Sequence, residues 1–427
     1  MIDPYVPGRG NDGYRVDRYD LDLRYAVASN RLDGRARVAV TATEVLETLT
    51  LDLARLTVSK VHVDGRPAKW RQRRDKLAVT LPAPLDVGVN ATVDIRYAGN
   101  PRPVRSVWGE VGWEELEDGV IVAGQPNGAP TWFPCNDLAA AKAPFRVAMT
   151  AASGYHVVLN GELTSTQVGS STTTWVYEQV EPTSPYLMTC NIGRYEVVPL
   201  RDAPVSVRAV LPSARRLDFD VAFDRQTEMV DVFVELFGPY PFAAGYTVVV
   251  TPDPLEFPLE AQGQATFGTN HLDGTHERLI AHELAHSWFG NSVTAASWRD
   301  IWLHEGFACY AEWLWSERSG GPSADDHAAD HHRRLADLSQ DLVLTDPGPE
   351  DMFDDRVYKR GALVLHVLRV HVGDEAFFTT LRRWAAEHRH DVVTTEQFLA
   401  LASEVSTSSV EDLLEPWLCQ GPLPPLS

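Results

Sequence analysis

The chain has 427 residues, enough for two or three domains with large buried cores. Hydrophobic residues at 44% and charged residues at 23% give the balance of an ordinary globular protein. The net charge of −21 argues against a nucleic-acid-binding surface and, concentrated in a cleft, would favour cationic ligands such as a peptide's free amino terminus. The opening "MIDPYVPGRGNDGYRVDRYD" has no basic region followed by an apolar run, and no apolar stretch reaches transmembrane length. Neither export nor a membrane partner is therefore expected. Cys135, Cys190, Cys309 and Cys419 are scattered without a CxxC pair, which reads as reduced thiols in a cytoplasmic protein.

Residues 1–200 read as a β-rich domain. "YDLDLRYAV" (19–27), "ARVAVTATE" (36–44), "KLAVTLPAPL" (76–85) and "ATVDIRYAG" (91–99) alternate apolar and polar residues between Gly, Pro and Asp breaks. The stretch 48–70 continues the pattern, with Asp64-Gly65 as a hairpin turn. "FRVAMTAA" (145–152), "HVVLNG" (156–161) and "TTTWVYEQV" (172–180) extend it.

The texture changes near residue 200. "SVRAVLP" and "YTVVVTPDP" still read as strands, but from "LDFDVAFDRQTEMVDVFVELFG" (217–238) onward helical periodicity dominates. The spacing predicts helices around 276–289, 304–318, 324–342, 359–371, 374–387 and 394–404. The closing "PWLCQGPLPPLS" is expected to hold none, because of its prolines. The expected fold class is thus α+β in two domains, 1–200 and 201–427.

Within the second domain "HELAHSWFG" (282–290) places two histidines four apart, with a glutamate directly after the first. On a helix, residues i and i+4 share a face, so His282 and His286 could offer imidazoles to one ion. Glu283 would stand about 100° round the axis, near a metal-bound water without competing as a ligand. Thr275 is a plausible N-cap, Leu279, Ile280, Leu284 and Ala285 supply apolar positions, and Gly290-Asn291 is a stop signal. A structural helix with solvated histidines carries the same pattern, and this stretch alone leaves both open. A catalytic zinc takes three protein ligands and keeps one position for water. Nineteen positions beyond His286, Glu305 opens a second, tryptophan-rich helix that could pack beside the first.

The whole stretch "HELAHSWFGNSVTAASWRDIWLHEGFACYAE" (282–312) resembles the zinc signature of the aminopeptidase N family, which includes leukotriene hydrolase. That family uses HExxH and then, after eighteen intervening residues, a glutamate, the spacing found here. "YDLDLRYAV" and "LTLDLARLTVSKVHVDG" are similar to the opening strands of the family's N-terminal saddle. "WFPCNDLAAAKAPFRV" (132–147), "VYKRGALVLHVLR" (357–369) and "WLCQGPLPPL" are similar to further family segments. The resemblance implies an all-β saddle followed by a thermolysin-like, mostly helical zinc peptidase domain. The family's further C-terminal helical domains are expected to have no counterpart here.

The resemblance implies one Zn2+ per chain on His282, His286 and Glu305, with Glu283 as general base and Tyr358 as oxyanion donor. It also implies a pocket for the substrate's α-ammonium. In "FPLEAQGQATFG" (257–268) Glu260 stands at the position of the family's amine-binding glutamate, with Glu256 as an alternative alignment. In "GQPNGAP" (124–130) Gln125 is kept while Asn127 is neutral where the family carries Glu or Gln. That substitution predicts a less anionic pocket and puts strict exopeptidase preference in doubt. Peptides are the expected substrates. An epoxide hydrolase acting on lipid and a non-catalytic peptidase-fold binding protein are the rivals.

Four other features look chemical. His327 and His331 form a second i, i+4 pair, but Ala328 stands where a general base would, and a solvated helix face is expected. Cys309, four residues after Glu305, reads as a packing residue, since a fourth ligand would close the site to water. Glu312 fits equally a carboxylate orienting a ligand histidine and an ordinary surface glutamate. The tryptophans at 298, 302, 313 and 315 read as core.

Overall fold

The computed structural model describes residues 2–406 and 409–426. The chain divides into two compact units. The first runs to Pro199 and takes in Arg208–Arg216 and Phe242–Asn270; the second comprises Leu200–Val207, Leu217–Pro241 and the chain from His271 onward.

The first unit is built of sheets, as the alternating patterns predict. Its largest has eight strands, in the order Glu162–Val168, Thr172–Thr183, Ala143–Ala152, Tyr14–Ala26, Arg31–Ala42, Asn90–Gly99, Thr57–Val63 and Arg66–Pro67. Tyr19, Leu21, Leu23 and Tyr25 turn into one apolar core with Val38, Val93, Ile95, Trp113 and Trp132. Between them Asp20, Asp22 and Arg24 take the opposite face, where Arg146 reaches Asp22 at 3.0 Å. Asp64 and Gly65 both have positive φ, 49° and 77°, and close the hairpin expected there.

A single cut at residue 200 does not describe this grouping. Strands Glu196–Arg201, Val207–Leu211, Tyr246–Val250, Gln264–Phe267 and Leu259–Ala261 form one sheet in that order. Val210 and Val249 of that sheet pack with Val158, and this apolar contact draws 208–216 and 242–270 into the first unit. The hairpin Leu259–Ala261/Gln264–Phe267 was not visible as strands, because each arm is too short to show a period.

The second unit is helical: α1 Arg216–Ala222, α2 Gln226–Phe237, α3 Glu277–Ala285, α4 Trp302–Arg318, α5 Ala324–Ala336, α6 Asp355–Val372, α7 Asp374–Glu387, α8 Thr395–Ser406 and α9 Glu411–Cys419. Helix α9 corrects the expectation that the closing prolines forbid a helix. Pro416 sits inside it at the loss of one backbone donor, and burial of Leu414, Trp417 and Leu418 holds it in place. Among the described residues no helix is long and apolar enough to cross a membrane.

Candidate active site

Helix α3 presents Ile280, Ala281, Leu284 and Ala285 to the core, and His282, Glu283 and His286 are buried with them. Its N-cap is His276 rather than Thr275, whose hydroxyl instead bonds Asp273 Oδ1 at 2.7 Å. The chain leaves the helix at His286, and Gly290 then takes φ 115°. Helix α4 is buried along its whole stretch from Trp302 to Trp315, and Trp298 is buried in the turn before it, so the tryptophans at 298, 302, 313 and 315 lie in the core as expected. Glu305 lies in its first turn, where the helix dipole favours a carboxylate.

The two helices bring His282, His286 and Glu305 together, with one ligand atom of each within 4.8 Å of the others. Glu305 Oε2 lies 3.3 Å from His282 Nε2 and 3.5 Å from His286 Nε2. Each ring is fixed from behind. His282 Nδ1 donates to Glu312 Oε1 at 2.8 Å, and His286 Nδ1 to the Phe289 carbonyl at 3.0 Å. With Nδ1 of each ring so engaged, both Nε2 atoms turn towards Glu305, and a metal ion bound there would take the place of the Nε2 proton that otherwise bridges to the carboxylate. Two imidazole nitrogens and one carboxylate oxygen, all buried, fit a zinc ion that keeps a position for solvent.

Glu312, left open by the sequence, is thus the carboxylate that orients His282; its Oε2 also accepts from Arg278 at 3.2 Å. The sequence signal was its place seven residues, two turns, beyond Glu305. Burial works against ionisation of Glu305, but His286 and His282 hold it far below the usual carboxylate range. Burial likewise opposes ionisation of Glu312, yet the His282 contact and the charge of Lys359 bring it down to about 2. Burial alone would lower His282; its bonds to Glu305 and Glu312 carry it instead up to about 9.

Tyr358, in the first turn of α6, stacks on His282 with ring centroids 5.9 Å apart and planes 19° from parallel. Its neighbour Lys359 is buried and donates to Cys309 Sγ at 3.2 Å, so Cys309 is occupied in packing between α4 and α6. Arg360 turns the other way. It donates to the Trp417 and Gly421 carbonyls, each at 2.7 Å, and so fastens the end of α9.

In the first unit Gln125 and Glu260 meet, with Gln125 Nε2 donating to Glu260 Oε1 at 2.7 Å. Glu260 lies on the edge strand Leu259–Ala261 and is half-buried, whereas Glu256 is exposed. Asn127 buries its Oδ1 without a hydrogen-bond partner among the described residues.

The second histidine pair is a correction. His327 and His331 do not line a solvated face: both are half-buried and stack on Trp313, at centroid distances of 6.0 and 5.3 Å. Aromatic stacking fixes their direction, and Nε2 of His327 bonds Ser316 Oγ at 3.0 Å.

Residues 16–187 match the peptidase M1 N-terminal domain, and residues 221–417 match the peptidase family M1 domain. A crystal structure of an M1 zinc metallopeptidase from Deinococcus radiodurans superposes with a TM-score of 0.92 at 32% identity, covering 99% of this chain and 98% of that one. The chain belongs to peptidase family M1. A form of the Deinococcus enzyme bound to a Tyr-Ser-Ala substrate matches this M1 chain equally well, with a TM-score of 0.92. Leucyl aminopeptidase of Saccharolobus solfataricus is 24% identical over 96% of this chain and 54% of its own length. Human endoplasmic reticulum aminopeptidase 1 is 26% identical over 92% of this chain and 46% of its own length. The M1 chain therefore spans about half the length of these curated relatives.

Proposed function

We propose that the chain is a zinc aminopeptidase that releases residues from the free amino terminus of peptides. The observation that carries this reading is the convergence of both histidine Nε2 atoms on Glu305, with each Nδ1 locked from behind. A scaffold kept only for binding would leave those two oriented imidazoles, and the burial of Glu283 beside them, without a reason. Nothing in the site favours a lipid epoxide over a peptide.

His282, His286 and Glu305 would hold the zinc ion, which when bound would supply a Lewis acid for the scissile carbonyl and for the attacking water. Glu283 takes a proton from the attacking water at its carboxylate and returns it to the leaving amine. Tyr358 donates its phenolic hydrogen to the oxygen that gains charge as the carbonyl becomes tetrahedral. Glu260, steadied by Gln125, pairs with the substrate's α-ammonium, and neutral Asn127 completes that pocket. Glu312 keeps the His282 tautomer fixed. For the domain assignment we keep an N-terminal saddle, 1–200, and a catalytic domain, 201–427, on the strength of the family matches at 16–187 and 221–417, although 208–216 and 242–270 group with the sheet unit. Four free thiols support a cytoplasmic location, three of them buried and Cys419 exposed.

The test is zinc content per chain, together with hydrolysis of matched peptides with free and acetylated amino termini. About one zinc per chain, activity lost to a chelator, and a strong preference for free termini are expected. Equal cleavage of both peptides would replace the aminopeptidase by an endopeptidase.

A further inference from the structure

We propose that Asn160 is a positioning residue for amine recognition: it holds the hairpin carrying Glu260 in place against the segment that supports Gln125. The inference rests on the reading of Glu260 as the ammonium anchor.

Asn160 follows the strand His156–Leu159 and is 2% exposed. Its Oδ1 accepts from Thr189 N at 2.7 Å, while Nδ2 donates to Leu187 O at 2.9 Å and to Gln262 O at 3.0 Å. Both amide protons and the carbonyl are thus used. Gln262 stands two residues beyond Glu260, in the turn between its strand and Gln264–Phe267, and its own N–H reaches Leu187 O at 3.3 Å. The 186–189 segment also holds the Gln125 side. Thr189 Oγ1 donates to Val122 O at 3.1 Å, and a Cβ at Gly124 would lie 2.1 Å from Tyr186 O. One buried carboxamide therefore ties the Glu260 turn to a spacer that itself rests on the residues just before Gln125. Across this frame Gln125 Nε2 reaches Glu260 Oε1 at 2.7 Å.

Removing the carboxamide leaves Thr189 N–H and Gln262 C=O in the interior without this partner. The hairpin then shifts to recover hydrogen bonds, and a carboxylate displaced by a fraction of an ångström meets an ammonium poorly. The loss should fall on substrates that have an ammonium and spare those that lack one. Zinc binding and the residues of the helical unit should be untouched.

The experiment compares wild type, Asn160→Leu, Asn160→Asp, Glu260→Ala and the Asn160→Leu/Glu260→Ala double variant. For each, kcat and KM are measured on one peptide with a free and with an acetylated terminus, alongside zinc content and thermal unfolding. We expect Asn160→Leu to lower kcat/KM for the free peptide by about tenfold or more, and for the acetylated one by less than about twofold. Added to Glu260→Ala it should cost nothing further. Should Asn160→Leu not accumulate folded, Asn160→Asp, which keeps the acceptor for Thr189 but loses both donors, is read by the same criterion. An equal loss on both peptides, or an additive loss in the double variant, overturns the positioning role. A Glu260→Ala enzyme that keeps its free-terminus preference overturns instead the anchor reading beneath it.

Discussion

Gly306 and Gly361 face each other where α4 and α6 cross: a Cβ built on either would lie 2.7 Å from the other's Cα. The crossing holds the helix of Glu305 against the helix of Tyr358, and it explains why a glycine stands three residues after that tyrosine. Backbone atoms cannot yield as a flexible side chain can, so Gly361→Ala must part the two helices. The variant should lose roughly 1–3 kcal/mol in denaturant unfolding and should also lose turnover, because His282 and Tyr358 no longer stack as they do. Full activity at wild-type stability would mean that the helices separate without disturbing the site.

Glu312→Ala should weaken zinc binding about 10- to 100-fold, the usual cost of losing a carboxylate behind a ligand histidine. The measurement is competition with a chromophoric chelator, which does not depend on catalysis. An unchanged affinity would show that the 2.8 Å bond to His282 Nδ1 contributes nothing to the metal site.

Base and oxyanion donor separate by their signatures. Glu283→Gln should retain zinc and lose most turnover, while His286→Ala should lose the metal itself. Tyr358→Phe should keep zinc and KM and lower kcat by about 10²–10³. A loss confined to KM would make Tyr358 a binding residue.

The α5 histidines give a pH prediction. Burial, helped by Lys359 and Arg334 and opposed by Asp330 and Asp355, lowers His331 to about 4. Burial lowers His327 as well. In the unfolded chain both rings take protons near pH 6.5. Between pH 6.5 and 4 the unfolded state therefore binds more protons, and stability falls as pH drops through that window. With both rings only half-buried, the loss is on the order of 1 kcal/mol. In His331→Leu the fall in Tm across that window should be shallower than in wild type. Parallel curves would place the acid sensitivity elsewhere.

The sequence carried the site further than it carried the packing around it. The helical period made His282 and His286 a candidate pair, and the resemblance of the stretch 282–312 to a family zinc signature singled out Glu305 as their partner. The β-rich unit was legible because strands such as Tyr14–Ala26 bury every second residue. Glu312 stayed open since its helix is buried on all sides, and a sequence without polar and apolar faces does not say which way one glutamate points. The direction of His327 and His331 depends on Trp313, a contact between helices that no local pattern encodes. Helix α9 was missed because a proline rule outweighed three buried apolar residues that only tertiary packing reveals. Asn160 looked like the end of a strand, because its three bonds go to residues 27, 29 and 102 positions away.

The amine pocket offers the sharpest departure from the family pattern. Asn127 brings no charge, and its buried Oδ1 has no hydrogen-bond partner among the described residues. On the proposed reading, an α-ammonium beside Glu260 meets that carboxylate and, at Asn127, a neutral amide where a second carboxylate could stand. Adding a second carboxylate should deepen the attraction for a cation, since a close charge pair shielded from water is worth far more than one in solvent. Without substrate, however, two neighbouring carboxylates repel, and one of them will hold a proton to higher pH. Asn127→Glu should thus lower KM for free-amino peptides by roughly tenfold above neutral pH, with a smaller gain at acid pH. Acetylated peptides should gain nothing or lose affinity, because the extra charge then has no partner. Kinetics on matched free and acetylated peptides across pH 5.5–8.5 read both effects at once. An equal change for the two peptides would remove Asn127 from the pocket, and a loss for the free peptide would mean that the neutral amide is itself the better partner.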